Sequence, residues 1–76
     1  MDIVINGIYR HFKGHIYKVL FIAKDSDTLE DLVIYQDTTD ESKIWSRRLS
    51  EFTSLVDRNK YPNVEQEYRF ELIKKG

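Results

Sequence analysis

His11 and His15 stand four residues apart, the spacing that on a helix would set two imidazoles on one face for a metal ion. Here they flank Gly14 between apolar segments, and no third ligand accompanies them, whereas a structural zinc site wants four ligands and a catalytic one three. One histidine bonding the backbone of a tight turn is the expected outcome, with no metal and no other cofactor. Carboxylates cluster twice, at Asp25, Asp27, Glu30 and Asp31 and again at Asp37, Asp40 and Glu41. Neither group has the ligand order or the bend glycine of a calcium loop, so both read as solvated turns. The glycines are scattered and do not run ahead of a helix, which argues against a phosphate cradle of the nucleotide-binding kind. Catalysis by a nucleophile or a general base wants that group oriented by a third residue inside a cleft. No signature for such a site is present, and the chain is not expected to be an enzyme.

The residues left for function are aromatic and cationic: Tyr9, Arg10, His11, Tyr35, Trp45 and Arg47, with Arg48 beside them. Tyr, Trp and Arg dominate binding hot spots because each couples a large contact area to a polar tip or a planar charge. The expectation is a non-catalytic interaction module binding another protein, a peptide or a small ligand. In the alternative, Arg10, His11, Lys13, Arg47 and Arg48 contact phosphates of a nucleic acid while aromatics stack on bases. The competing structural reading gives Tyr9 and Trp45 to core packing and pairs the arginines with the many acids.

Twelve basic and 13 acidic residues leave a formal charge of -1, which argues against nucleic acid as the partner and against an anionic membrane. Cysteine is absent, so there is no disulfide, thiolate site or cysteine nucleophile. The first residues lack the basic and apolar segments of a secretion signal, and Val19 to Ala23, the longest apolar run, falls far short of the roughly 20 residues of a membrane span. A cytoplasmic location is expected. Seventy-six residues make a single domain, 1–76, because a chain this short cannot support two cores.

The elements that must position these residues are mainly strands. Ile8 to Phe12 and His15 to Lys24 are rich in Ile, Val, Tyr and Phe and meet at Gly14, which is free to take a positive φ. Apolar residues on both faces of the second segment predict a bent strand whose two halves bury opposite sides. Asp25 to Thr28 and Asp37 to Ser42 read as turns around strands at Asp31 to Gln36 and Lys43 to Arg47. Leu49, Phe52 and Leu55 or Val56 recur at helical spacing, predicting a short helix or a single 3₁₀ turn over 49–56 that Pro62 keeps from extending. Val64, Tyr68, Phe70 and Leu72 then alternate with charged residues as a half-buried strand. The core is expected from Ile16, Val19, Leu20, Ile22, Val33 or Ile34, Phe52, Tyr68, Phe70 and Leu72. In the Lys43 to Arg47 strand, Trp45 is turned outward if Ile44 faces the core, and it is expected to lie partly exposed near Tyr9, Tyr35 or Arg10.

The string Gly7-Ile-Tyr-Arg-His-Phe-Lys-Gly14, followed by Tyr17-Lys-Val-Leu20, resembles the opening of a small bacterial family, domain of unknown function sixteen fifty-three. Ser26-Asp-Thr-Leu-Glu30, Leu32-Val-Ile-Tyr-Gln36, Ile44-Trp-Ser-Arg47 and Leu49-Ser-Glu-Phe52 resemble its later landmarks in order. Asp25 stands where that family has His, Arg48 where it has Pro, and Asp37 to Ser42 replace its Tyr-Gly bend. The resemblance implies a small antiparallel SH3-like barrel of about five strands with one short helix, and it implies no activity.

Overall fold

Gly14 sets the first hairpin. At φ +105° it takes the left-handed backbone that a β-carbon resists. Its amide donates to the His11 carbonyl at 2.7 Å, and the His11 amide donates to the His15 carbonyl at 2.8 Å. β1 (Ile8–His11) is thereby folded onto β2 (Ile16–Lys24) in a computed structural model that describes residues 2–76. β3 (Asp31–Asp37) and β4 (Ile44–Arg48) continue the meander, α1 (Leu49–Phe52) is a single turn, and β5 (Phe70–Lys74) returns to pair with β1. The sheet order is β4-β3-β2-β1-β5, with every neighbouring pair antiparallel.

The turns form for a local reason. Asp25 Oδ1 accepts from the amides of Asp27 and Thr28 at 2.8 and 3.1 Å, Asp37 Oδ1 from Thr39 at 2.8 Å, and Asp40 Oδ1 from Ser42 at 3.1 Å. Each aspartate thus replaces a backbone acceptor at the point where the chain reverses. The predicted bend of β2 is a bulge at Leu20: Val19 pairs with Tyr35, but Phe21 pairs with Ile34 and Ile22 with Val33. Directly opposed residues share a face, so the core side of β2 changes parity across the bulge.

Three expectations are corrected. The sheet does not close into a barrel by hydrogen bonds, since β4 and β5 are its free edges. The final strand begins at Phe70, not Val64, because side chains take the carbonyls that a longer ladder would need. Arg58 donates to the carbonyls of Val64 and Gln66, and Gln66 Nε2 donates to those of Arg10 and Tyr68 at 3.0 and 2.8 Å. The helix is also shorter than predicted, as the Thr53 and Ser54 hydroxyls donate back to the carbonyls of Leu49 and Glu51 at 2.9 and 2.6 Å and end it.

The core is an aromatic cluster. Phe52 from α1 stacks on Phe70 from β5 at 4.0 Å with ring planes 5° apart, and Tyr9 and Tyr35 meet Phe52 edge-on at 5.3 and 5.6 Å. Val19 and Val33 complete it, all six residues being buried. Tyr9 and Tyr35, candidate binding residues in the sequence, are packing residues at 1% and 5% exposure, and for Tyr9 this is the competing structural reading. Their parity decides it: Tyr9 aims inward, and its hydroxyl accepts from the Val4 amide at 2.9 Å. Conversely Ile22, Tyr68 and Leu72, expected in the core, are exposed, and Ile16 and Leu20 are only half-buried.

Candidate functional site

The open seam between the two edge strands is covered by side chains. Trp45 and Arg47 of β4 pair with Tyr35 and Val33, so both belong to the core-facing side of the sheet. Arg47 reaches across, its guanidinium carbon 5.8 Å from the centre of the Phe70 ring. Its Nε donates to the Tyr35 hydroxyl at 3.3 Å and its Nη1 to Glu51 at 3.4 Å. Nε and Nη1 of the guanidinium are thus both engaged, by Tyr35 and Glu51.

On the other side of the seam His11 ends β1 with its ring edge-on to Phe70 at 4.9 Å. The Lys13 amide donates to His11 Nδ1 at 3.1 Å, so the neutral ring carries its proton on Nε2. Burial, and then the charges of Arg47, Arg69, Lys13 and His15, push the His11 pKa down to about 4. At neutral pH this imidazole is an uncharged donor surrounded by cations.

The remaining wall comes from the irregular stretch before β5. The Arg69 amide donates to the Ser54 carbonyl at 2.8 Å, its carbonyl accepts from the Phe12 amide at 3.0 Å, and its Nε donates to Ser54 Oγ at 3.2 Å. Asp57 turns the chain by accepting the Asn59 amide at 2.9 Å, and its carbonyl accepts the Tyr61 amide at 2.8 Å. That turn sets Lys60 and Tyr61 opposite β1, with Tyr61 edge-on to Phe12 at 4.9 Å. Lys13 lies 5.4 Å and Lys60 5.5 Å from the Tyr61 ring centre. Hydrogen bonding from Lys13, with the charges of Lys13 and Lys60, lowers the Tyr61 pKa.

These residues enclose a cleft of about 460 Å³. Lys13, Arg47, Lys60 and Arg69 face it with His11, and Asp57 is the one carboxylate in its lining. Among the described residues Lys13, Lys60 and Arg69 form no ion pair. Such an arrangement can bind an anion through charge-assisted hydrogen bonds.

Of the residues singled out from sequence, the fold unites His11 and Arg47, and with them Lys13 of the nucleic-acid alternative. Tyr9 and Tyr35 support the cleft from the core. Arg10 points to the other side, donating to Glu71 at 2.9 Å, and Arg48 is tied to Glu51. Trp45 is 48% exposed beside Tyr35, but not because Ile44 faces inward: Ile44 is exposed as well. Trp45 lies on the core-facing side of an edge strand, beyond the aromatic cluster that would have covered it. Lys60, Tyr61 and Arg69 were missed, since nothing local separates them from other charged or aromatic residues until the Asp57 turn brings them to β1. Among the described residues there is no group of three or more His, Cys, Asp or Glu placed to hold a metal ion.

A family model described as a protein of unknown function, DUF1653, matches residues 7–72. That span takes in β1 to β4, α1, every residue lining the cleft and the first part of β5. No curated protein and no solved structure matches the chain.

Proposed function

This chain belongs to the DUF1653 family, whose description carries no activity, and from the geometry we propose that it is a non-catalytic binding module whose cationic cleft takes an anionic group of a protein, peptide or small ligand. In this reading the curved sheet is an opened SH3-like barrel, and the ligand enters where β4 and β5 fail to pair. The observation that carries it is the convergence of Lys13, Lys60 and Arg69, none in an ion pair among the described residues, on the space that Arg47 also faces. Like charges held together repel and weaken the folded state, so their grouping is best explained by a ligand that neutralises them.

The non-catalytic part of the reading rests on His11. Its Nδ1 is occupied by the Lys13 amide, no carboxylate orients the ring, and a pKa of about 4 makes it a poor proton acceptor at neutral pH. Trp45, two residues from Arg47 on the same face, would extend the contact when the anion belongs to a protein or peptide. The nucleic-acid alternative is less well supported, because Arg10 and Arg48 are engaged with Glu71 and Glu51 and do not extend the cleft into a stripe.

Titration of the ¹⁵N-labelled chain with phosphate, sulfate and acetate tests the reading. Amide shifts concentrated at His11, Lys13, Lys60, Tyr61 and Arg69 are expected. Uniform small shifts over the whole surface with all three anions would overturn it.

A further inference from the structure

We propose that the anion taken by this cleft is the dianionic phosphate of a phosphate monoester, an inference that rests on the anion-binding reading and narrows it. The charge balance is the first argument. Four cations, Lys13, Arg47, Lys60 and Arg69, face one carboxylate in the lining, Asp57, and one edge of Arg47 is taken by Glu51. At least two positive charges are left without a partner, the amount that a phosphate monoester neutralises near pH 7, carrying about −1.5 to −2. A carboxylate or a phosphodiester brings only one negative charge.

The donor geometry is the second argument. Arg47 has Nε and Nη1 engaged with Tyr35 and Glu51, and Arg69 has Nε engaged with Ser54, so the free donors of both are terminal nitrogens. His11 adds Nε2–H, and Lys13 and Lys60 add ammonium groups that both lie beside the Tyr61 ring. Donors thus arrive from β1 and its turn, from β4, and from the stretch before β5, which suits three terminal oxygens spread about one phosphorus better than the two coplanar oxygens of a carboxylate. The cleft, at about 460 Å³, leaves room for the carrier of the phosphate.

The ligand's own ionisation supplies a signature. The second proton of a phosphate monoester leaves with a pKa near 6. Burial of the ring first, and then the charges of Arg47, Arg69, Lys13 and His15, hold His11 neutral through this range. Affinity for a monoester should therefore rise between about pH 5.5 and 7.5 as the dianion forms, without an opposing loss of positive charge from His11.

The full chain is titrated by NMR with methyl phosphate, dimethyl phosphate and acetate, and separately with adenosine monophosphate and a phosphoserine peptide to distinguish carriers. Methyl phosphate is expected to bind about tenfold or more tightly than dimethyl phosphate or acetate, the difference of one charge-assisted contact. Lys60→Gln should weaken it by a similar factor, and Lys74→Gln, outside the cleft, should not. A further gain with the nucleotide or with the peptide supports the inference and names the carrier. Equal affinity for acetate or dimethyl phosphate overturns the dianion while leaving the anion-binding reading standing. Absence of shifts at the cleft with every probe overturns both, and tighter, steeply salt-dependent binding to an unphosphorylated-end oligonucleotide replaces the monoester with a phosphodiester backbone.

Discussion

The acidic turns and the cationic cleft contain charges of opposite sign handled in opposite ways. Asp25, Asp37 and Asp40 are each consumed within three residues, by backbone amides and neighbouring hydroxyls, and Lys43 lies beside Asp40. Their pKa values are lowered mainly by those hydrogen bonds. Lys13, Lys60 and Arg69 have no carboxylate in an ion pair with them among the described residues and are gathered from distant parts of the chain onto one space. Charges that are satisfied where they stand serve the fold, while charges brought together unsatisfied are available to something else. The aromatic core makes the second arrangement possible, because Phe70 supports both His11 and Arg47.

The largest expected effect breaks the comparison by removing that support. Phe70→Ala should cost about 3–5 kcal/mol in urea denaturation, comparable to the whole stability of a small domain, and should abolish anion binding with it. A loss below about 1 kcal/mol would separate the cleft from the core. Trp45→Ala should cost clearly less than the 3–5 kcal/mol of a buried tryptophan, about half or under, because nearly half of the residue is already in solvent. Small-anion binding should survive that change, and binding of a protein partner should fall.

His11 sharpens the comparison through pH. Its folded pKa of about 4 lies below its ordinary value of 6.5, so between those limits the unfolded chain binds a proton that the folded chain does not. Stability should therefore fall as pH drops from 6.5 to about 4, and His11→Gln should flatten that part of a melting-temperature profile. The acidic turns act lower on the scale. Their depressed carboxylates stabilise the fold above the unfolded value and lose that contribution as pH falls below about 4, so Asp25→Asn should lower stability at neutral pH and converge on the parent chain only below about pH 4. The smallest effect on stability belongs to Lys13→Gln, which should leave the fold intact and move the His11 titration, followed by its ring proton shifts, upward. An unchanged His11 titration would mean that Lys13 does not contribute to the field of the cleft.

Local chemistry made much of the architecture legible in the amino-acid sequence. Gly14 marked the hairpin because only the absence of a β-carbon makes its φ easy, and the aspartate turns were visible because donor and acceptor lie within three residues of one another. Apolar and aromatic segments bounded by turn residues located β1 to β4 to within a residue or so, whereas the clean alternation from Val64 placed the start of β5 too early. What alternation could not decide was which face of an aromatic strand points inward: Tyr9 and Tyr35 look the same whether they pack or bind, and the answer came from Phe52 and Phe70 stacking beneath them. The exposure of Trp45 likewise depended on β4 being an edge, a property of sheet order and not of the strand. The cleft was the least legible part. Lys60 and Arg69 are ordinary charged residues until the Asp57 turn and the Phe12 to Arg69 hydrogen bond carry them to His11 and Lys13, and a site assembled from residues 11, 13, 47, 60 and 69 has no periodicity for a sequence to display.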